Sequence, residues 1–188
     1  MATTNEVQQQ LLPKLLPIVQ KISPRLRLLL IPLEADYSIR KLETGAVNLI
    51  ISMIWHAPEQ LMLQRLFSDR FVYLMGKSHP LANGTLTLEN DSSVSHPMFA
   101  PFGMQRGYID DQLLQKGYKR FTRLSVQKFP QITYALLGNN NMITLPQRVA
   151  QRIADSAPVA IKMSVNHDSI SYAHRHPILQ LGIVCNGN

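Results

Sequence analysis

The stretch Leu66-Phe-Ser-Asp-Arg-Phe-Val-Tyr-Leu-Met-Gly-Lys-Ser-His-Pro-Leu-Ala82 decides the fold class of this chain. Its centre, Phe71 to Met75, is an unbroken β-favouring run, which is typical of a strand covered on both faces. Gly76 and Pro80 then end the strand. Because the residues before and after this stretch each form an α/β pattern of their own, we predict that Gly76 to Pro80 is the crossover between two lobes. A cleft between lobes is a common place for a small ligand.

The first lobe alternates strands with helices. The polar end of a short strand precedes a helix predicted from Val7 to Ile22, and a second short helix over Tyr37 to Leu42 ends at Gly45. Strands are predicted at Leu26 to Ile31 and at Val47 to Ile51. Short connections in this order indicate parallel βαβ units, so the lobe is predicted to be a doubly wound sheet.

The second lobe repeats the alternation. Its predicted strands are Pro97 to Ala100, Arg120 to Val126 and Asn141 to Leu145, and its predicted helices are Tyr108 to Lys116, Pro130 to Leu137 and Pro146 to Ile153. A return strand is predicted at Val159 to Val165. The fold class is therefore α/β, with two Rossmann-like lobes joined by two crossover strands. Residues 1–76 form the first part of lobe I, residues 77–162 form lobe II, and residues 163–188 return to lobe I and end in an irregular tail.

The amino-acid composition excludes several classes of protein. The 188 residues are 45% hydrophobic and 16% charged, which is ordinary for a globular chain. Cys185 is the single cysteine, so an internal disulfide and multi-cysteine metal sites are excluded and a reducing compartment is favoured. No stretch approaches the roughly 20 apolar residues of a spanning helix, and no secretory signal opens the chain. We therefore predict a cytoplasmic protein with no membrane partner.

The net charge of +7 leaves two interpretations open. A basic, solvated surface is favoured, because most basic residues stand singly and no basic run has interleaved aromatic residues. A nucleic-acid-binding face is the alternative. Its densest basic group would be Lys116, Lys119, Arg120, Arg123 and Lys128.

Four landmarks then occur in order along the chain. They are Leu11-Leu-Pro-Lys-Leu15 with Ser23-Pro24, Leu42-x-x-Gly45-x-Val-Asn-Leu-Ile50, Leu66-Phe-x-Asp-x-Phe71 and His79-Pro-Leu-Ala82. With these landmarks, about residues 3 to 165 resemble the effector-binding (regulatory) domain of LysR-type transcriptional regulators. Further residues are similar to the branch with many regulators of aromatic catabolism and nodulation: Pro101-Phe-Gly103, Asp110, Leu113, Gly117, Arg120, Phe129, Gly138 and Ile143-Thr-Leu-Pro146.

This resemblance implies a type 2 periplasmic binding fold, a small-molecule inducer in the cleft, and transcription regulation through effector-dependent lobe and dimer rearrangement. It also implies a homodimer, with a tetramer as an alternative for the full-length protein. The family carries an N-terminal winged helix-turn-helix that this chain lacks, so DNA binding is expected only through that missing domain. The family's closing Trp-His-x-Arg and Trp-Leu-Arg pattern is not met, so the sequence assigns no secondary structure beyond about Tyr172.

Candidate effector-binding residues follow the strands. Ligands of open α/β sheets bind outside the carboxyl ends of strands, where helix N-termini offer N–H donors. Thr4, Asn5 and Glu6 follow the first strand, Asp36 follows the second and Ser52 follows the third. Thr4 as a plain helix cap is the alternative. The resemblance adds Phe102, Gly103 and Thr144 from the other lobe.

These residues predict a small organic effector that bears a carboxylate, with an aromatic ring as an option. Hydroxyl, amide and helix N-terminal donors near Thr4 and Asn5 suit an anion, and Phe102 offers a ring face. The acidic Glu6 and Asp36 argue against a carboxylate or for a ligand with donors.

Catalysis is not indicated. Cys185 has no base or helix start beside it. His167, His174 and His176 lack the spacing of a metal site, so surface histidines are the favoured interpretation and no metal or cofactor is predicted. We therefore predict no enzyme. The rival function is an extracytoplasmic solute-binding protein of the same fold.

Overall fold

Two compact units make up the chain. The computed structural model describes residues 1–33, 40–53, 61–100, 103, 106–137, 140–162 and 179–186. Unit 1 contains Met1–Ser68 and Leu179–Asn188, and unit 2 contains Asp69–Ile178. None of the helices in these described ranges is long and apolar enough to cross a membrane.

Unit 1 is built on a five-stranded sheet. Its strands are β1 (Ala2–Thr3), β2 (Ile31–Pro32), β3 (Ile50–Met53), β4 (Leu61–Asp69) and β10 (Leu179–Asn186), in the order β2-β1-β3-β10-β4. Strand β1 runs parallel to both β2 and β3, whereas β10 runs antiparallel to β3. The parallel pairing of β1 with both neighbours is the βαβ pattern that the alternation of strands and helices predicts.

Helix α1 (Asn5–Ile22) packs on this sheet through its first turns, and residues 40–43 are helical and are called α2. Helix α1 begins two residues before the predicted start because Thr4 caps it. Val7 is buried, and it packs with Ile51 and Leu11 in a small apolar cluster. Gly45 ends the α2 region with a φ of 73°, a left-handed conformation that glycine adopts without steric cost.

The predicted strand at Leu26 to Ile31 is wrong for most of its length. Only Ile31–Pro32 forms a strand, and Leu26 and Leu29 are exposed. β1 pairs with this segment over two residues only, and the amide of Ile31 donates to the Met1 carbonyl at 3.0 Å. In the part of the chain that the structure describes, no strand pairs with the residues before Ile31. Strand propensity alone does not make a strand without a pairing partner.

The irregular tail is also a wrong prediction, because Leu179–Asn186 is strand β10. Its Ile183 lies opposite Ile51, so the segment fills the position between β3 and β4. The run Leu-Gln-Leu-Gly-Ile-Val favours a strand by composition. The prediction of an irregular tail followed the missing closing pattern of the family and not this local composition.

Unit 2 is built around the strand that the sequence predicts at Phe71 to Met75. Strand β5 (Phe71–Gly76) lies between β8 (Met142–Pro146) and β9 (Val159–Lys162), and it pairs antiparallel with both. Val72 and Leu74 belong to the main core, whereas Tyr73 and Met75 belong to a second cluster. The strand is therefore buried on both faces, as its unbroken apolar run predicts. Unit 2 begins at Asp69, before β5, whereas the predicted lobe boundary lies after β5, at residue 76. The boundary differs because β5 is hydrogen-bonded to β8 and β9, which both belong to unit 2.

The remaining elements of unit 2 match the predicted alternation. Strands β6 (Met98–Phe99) and β7 (Ser125–Val126) pair in parallel. The helices are α3 (Leu88–Ser93), α4 (Tyr108–Gln115), α5 (Phe129–Leu136) and α6 (Gln147–Ser156). The strand predicted at Arg120 to Val126 is shorter, because Phe121 and Leu124 accept the amides of His96 and Met98. The two donors are two residues apart, whereas the two acceptors are three residues apart. The extra residue forms a bulge that interrupts regular pairing.

Helix α5 offers a test of this core. Ile132 and Leu136 are fully buried, whereas Tyr134 on the same helix is 76% exposed. We expect Leu136→Ala to lower the free energy of unfolding by about 2–5 kcal/mol, because it leaves a cavity. The control Tyr134→Ala should change it by less than about 1 kcal/mol. Urea denaturation of both variants measures the difference, and equal losses would mean that α5 presents another face to the core.

Candidate functional site

Thr4 and Asn5 lie at the carboxyl end of β1, where α1 begins. The Thr4 hydroxyl accepts the amide of Val7 at 3.4 Å, so Thr4 is the N-cap of the helix. Asn5 is exposed in the first turn. A helix N-terminus presents unpaired N–H groups and a partial positive charge. This turn can therefore hold an anion, and the plain-cap interpretation of Thr4 also describes what its hydroxyl does in the structure.

Ser52 lies next to this turn in the same sheet. Thr3 pairs with Ile51 of β3, and its hydroxyl donates to the Ile51 carbonyl at 2.8 Å. Thr4 and Ser52 each stand one residue further along two parallel strands, so the structure brings them to the same sheet edge. Ser52 lies inside β3, where it is the register partner of Gly182 in β10, and not after the strand as predicted, because β3 extends to Met53. It is buried, unlike Asn5.

Three of the predicted site residues cannot be placed. Asp36 and Phe102 lie outside the described residues, and so does the side chain of Glu6. Their roles stay predictions. The argument that the acidic Glu6 and Asp36 disfavour a carboxylate ligand therefore also stays a prediction.

Gly103 and Thr144 are the candidates in unit 2. Gly103 is exposed, has a φ of 71° and donates its amide to Ala100 at 2.9 Å, so it ends the segment after β6 in a turn that favours glycine. Thr144 lies in β8, which packs beside β6. Its hydroxyl oxygen is buried and has no hydrogen-bond partner among the described residues. A buried hydroxyl without a partner costs free energy, and a ligand that hydrogen-bonds to it would remove that cost.

The structure also reveals a buried charged network that the sequence analysis missed. Arg120 donates Nε to Asp91 Oδ2 at 3.0 Å and Nη2 to Asp91 Oδ1 at 3.1 Å. The same Nη2 donates to the Tyr73 hydroxyl at 3.0 Å. Arg120 was named from the sequence as one of a basic group and as a residue similar to the family branch, but neither pattern indicates that it is buried. No local signal marks Asp91, because tertiary packing alone buries the pair.

His96 completes this network as a neutral ring. Its Nε2 lies 2.8 Å from the Asp91 carbonyl oxygen, which can only accept, so Nε2 carries the hydrogen. Burial, with the Arg120 guanidinium as the next cause, lowers the pKa of His96 to about 4. Nδ1 has no partner among the described residues, so a second proton there would also lack an acceptor.

Metal and nucleophile chemistry gains no support from the described ranges. They contain no group of three or more His, Cys, Asp or Glu side chains that could hold a metal ion. Cys185 is half-buried in β10. His167, His174 and His176 lie outside the described residues, so their interpretation as surface histidines stays a prediction.

A parallel β-strand followed by a capped helix, as at Thr4, is the arrangement with which open α/β sheets bind ligands. The family model of the LysR substrate binding domain matches residues 1–175, and the chain belongs to this family. The resemblance stated from the landmarks is thereby confirmed.

The chain is similar to the HTH-type transcriptional activator NagR of Ralstonia sp., with 27% identity over 152 residues, covering 81% of this chain and 50% of that protein. It is similar in structure to the probable transcriptional regulator PA0477 of Pseudomonas aeruginosa, with a TM-score of 0.83, 23% identity, and coverage of 98% of this chain and 59% of the other. The effector-binding domain of QuiR, solved with shikimate, has a TM-score of 0.74 at 14% identity and covers 100% of this chain and 86% of its own.

These structural neighbours confirm the predicted type 2 periplasmic-binding-like α/β fold. At such low identity they show the fold alone. The chain spans about half the length of the curated relatives it matches.

The buried imidazole predicts a dependence of stability on pH. The pKa of His96 is about 4 in the folded protein and 6.5 in an ordinary setting. Between these values the unfolded chain binds a proton that the folded protein excludes, so the free energy of unfolding falls as the pH drops from 6.5 to about 4. The full loss from this group is roughly 3 kcal/mol, and above the upper value the group contributes no slope.

Urea denaturation at several pH values checks this expectation, with His96→Gln as the comparison. The variant should lose less stability in acid than the wild type does. Some pH dependence should persist in both proteins, because burial also lowers the pKa of His79. If the free energy of unfolding falls equally with pH in both proteins, the pKa of His96 is not lowered by its burial in the folded state.

Proposed function

We propose that this chain is the small-molecule-sensing domain of a LysR-type DNA-binding transcriptional regulator. The observation that carries the proposal is the family match over residues 1–175. Relatives named as transcriptional activators support it over the alternative of an extracytoplasmic solute-binding protein. In this proposal the chain senses the effector, and DNA is bound by a winged helix-turn-helix domain of the whole protein.

The proposed effector is a small organic acid, with an aromatic ring as an option. The first turn of α1, at Thr4 and Asn5, supplies N–H donors and a favourable dipole for an anion. Thr144 supplies a buried hydroxyl without a partner among the described residues. The QuiR domain, which was solved with shikimate, supports a small molecule as the ligand class.

The effector would act by population shift. A ligand changes a conformational equilibrium only by as much as it binds one state better than the other. Turnover of the effector has no place in this proposal, and the protein is proposed to work in the cytoplasm without a membrane partner. Hydrolase or isomerase activity in a broad substrate panel would overturn the non-enzyme proposal.

A thermal-shift panel of aromatic and aliphatic carboxylic acids tests the ligand class. We expect at least one acid to raise the melting temperature, because binding to the native state stabilises it. Asn5→Ala and Thr144→Val should each weaken the affinity for that acid about tenfold, which corresponds to one hydrogen bond of about 1.4 kcal/mol.

Thr144→Val is the sharper variant. Without ligand it should leave the melting temperature unchanged or raise it, because it replaces an unpartnered buried hydroxyl by a methyl group of similar shape. Thr122→Val, on a half-buried threonine outside the candidate set, is the matched control. If both Asn5→Ala and Thr144→Val keep wild-type affinity, the acid binds elsewhere. If only one variant weakens binding, the site lies on that unit.

Self-association is the second part of the proposal. A regulator that binds two DNA half-sites has to align two copies, so we propose a homodimer, with a tetramer as the alternative for the whole protein. Unit 1 exposes apolar side chains on α1 and on the segment before β2: Leu16, Ile18, Ile22, Leu26, Leu28 and Leu29. Such a surface on a soluble domain is typical of an interface.

Sedimentation over a range of protein concentrations tests the homodimer. We expect a species of about twice the 21.3 kDa chain mass, and we expect Ile22→Glu and Leu29→Glu to shift it towards the monomer. Both side chains are 74% exposed, so these changes should not disturb the core. Met62→Glu, on exposed β4, is the control. A wild-type protein that stays monomeric at high concentration contradicts the proposal, and dissociation by Met62→Glu alone moves the interface to β4.

A further inference from the structure

The chain passes from unit 1 to unit 2 through a very short connection. Strand β4 of the unit 1 sheet ends at Asp69 and β5 begins at Phe71, so Arg70 alone lies between the two strands. The division between the compact units falls just before Asp69. The return connection, residues 163–178, lies outside the described residues. A hinge between two units consists of a few residues at the ends of strands or helices, and Asp69 and Arg70 occupy such a position.

Helix α6 begins beside this connection and takes its cap from it. The N-cap residue is Pro146, whose side chain has no hydrogen-bond acceptor, so the first amides of the helix need acceptors from elsewhere. The Arg70 carbonyl accepts the amide of Gln147 at 2.8 Å, and Asp69 Oδ2 accepts the amide of Arg148 at 3.2 Å. The connection between the units therefore caps a helix that begins almost 80 positions further along the chain, since Asp69 and Arg148 are 79 positions apart.

The Asp69 carboxylate also holds the connection itself. Its second oxygen, Oδ1, accepts the amide of Arg70 at 2.8 Å. The Arg70 side chain returns to the helix, because its Nε donates to Gln147 Oε1. One carboxylate thus joins the backbone of the connection to the backbone of α6. Its negative charge interacts favourably with the partial positive charge at the start of the helix.

Helix α6 is fixed in unit 2 by its apolar face. Its buried residues belong to the main core: Val149, Ala150 and Ile153. The bonds from α6 therefore tie Asp69 and Arg70 to unit 2. Rotation about the backbone bonds of Arg70 would break these hydrogen bonds, whereas rotation about the backbone bonds of the exposed Ser68 would leave them intact.

We propose that Asp69 defines the hinge between the two units: by capping α6 it holds Arg70 to unit 2 and confines bending of this connection to the backbone before Asp69. A connection that bends at one place leaves fewer conformations open to the chain, so a ligand has fewer states among which to select. The inference concerns the chain without a ligand. Its test is therefore separate from that of the proposed effector, and either can fail alone.

Two variants and one control separate this hinge role from simple stabilisation. Asp69→Ala removes both carboxylate oxygens and with them the bonds to the amides of Arg70 and Arg148. Asp69→Asn keeps one oxygen acceptor, so it can form only one of these two bonds. Asp155→Ala is the matched control, because Asp155 lies on the same helix and accepts a hydrogen bond from Gln151.

Backbone NMR relaxation of the ligand-free chain is the first measurement. In the wild type we expect the order parameter of the Arg70 amide to equal that of Leu74 in β5, at about 0.85, and in Asp69→Ala we expect it to fall to about 0.6. Leu74 should keep its value in every variant, and Asp155→Ala should match the wild type at Arg70. Wild-type order at Arg70 in Asp69→Ala overturns the proposal. An equal loss at Leu74 also overturns it, because unit 2 would then have loosened as a whole.

The distance between the units is the second measurement, made by electron paramagnetic resonance. Spin labels are attached at two exposed positions, through Ala46→Cys in unit 1 and Tyr134→Cys in unit 2, in a Cys185→Ser background. Unlabelled chain in excess ensures that a dimer carries only one labelled copy.

We expect Asp69→Ala to give a wider distance distribution than the wild type and Asp155→Ala, because bending is then no longer confined. If Arg70 loses order in Asp69→Ala but the distribution stays as narrow as in the wild type, Asp69 only caps α6 and the hinge proposal is overturned. A distribution equally wide in Asp155→Ala overturns it as well. If Asp69→Ala does not fold, Asp69→Asn replaces it in both measurements, and unchanged order at Arg70 with an unchanged distribution overturns the proposal.

Discussion

Unit 2 depends on one constraint, which is that β5 buries both of its faces and both of its edges. Its backbone pairs with β8 on one side and β9 on the other. Val72 and Leu74 point into the main core, and Tyr73 and Met75 point into the second cluster. A strand so enclosed can tolerate few polar atoms, so the single hydroxyl among these four side chains needs a partner. Arg120 supplies it.

Burying Arg120 and Asp91 together is costly unless their geometry is good, because desolvation opposes the attraction between them. The geometry here is bidentate, and Tyr73 and His96 take further polar positions around the pair. Such a network adds little net stability relative to an apolar core of the same volume. Its effect is to specify one arrangement of α3, β5 and the segment around residue 120.

Strand register places the polar side chains on which the proposed sensing function depends. In unit 1 the parallel register of β1 and β3 brings Thr4 and Ser52 to one edge, where α1 begins. In unit 2 the alternation along β8 puts Ile143 and Leu145 into the core and leaves Thr144 on the face of Tyr73. Both placements follow from the two-residue period of side chains along a strand. A shift of one residue in the register would turn these side chains to the opposite face of the sheet.

The amino-acid sequence by itself determined the α/β class, the two-unit organisation and the family, because these depend on local periodicity and on landmarks in order. The buried strand at Phe71 to Met75 and the helix end at Gly45 could be predicted directly from the sequence. The extent of β2 and β7 and the existence of β10 could not, since a strand exists only where a neighbour pairs with it. For the candidate site, Thr4, Asn5, Ser52, Gly103 and Thr144 were named from strand ends and from the family. The Asp91, His96, Arg120 and Tyr73 network was decided by tertiary structure alone, because burial and partner choice join residues up to 47 positions apart.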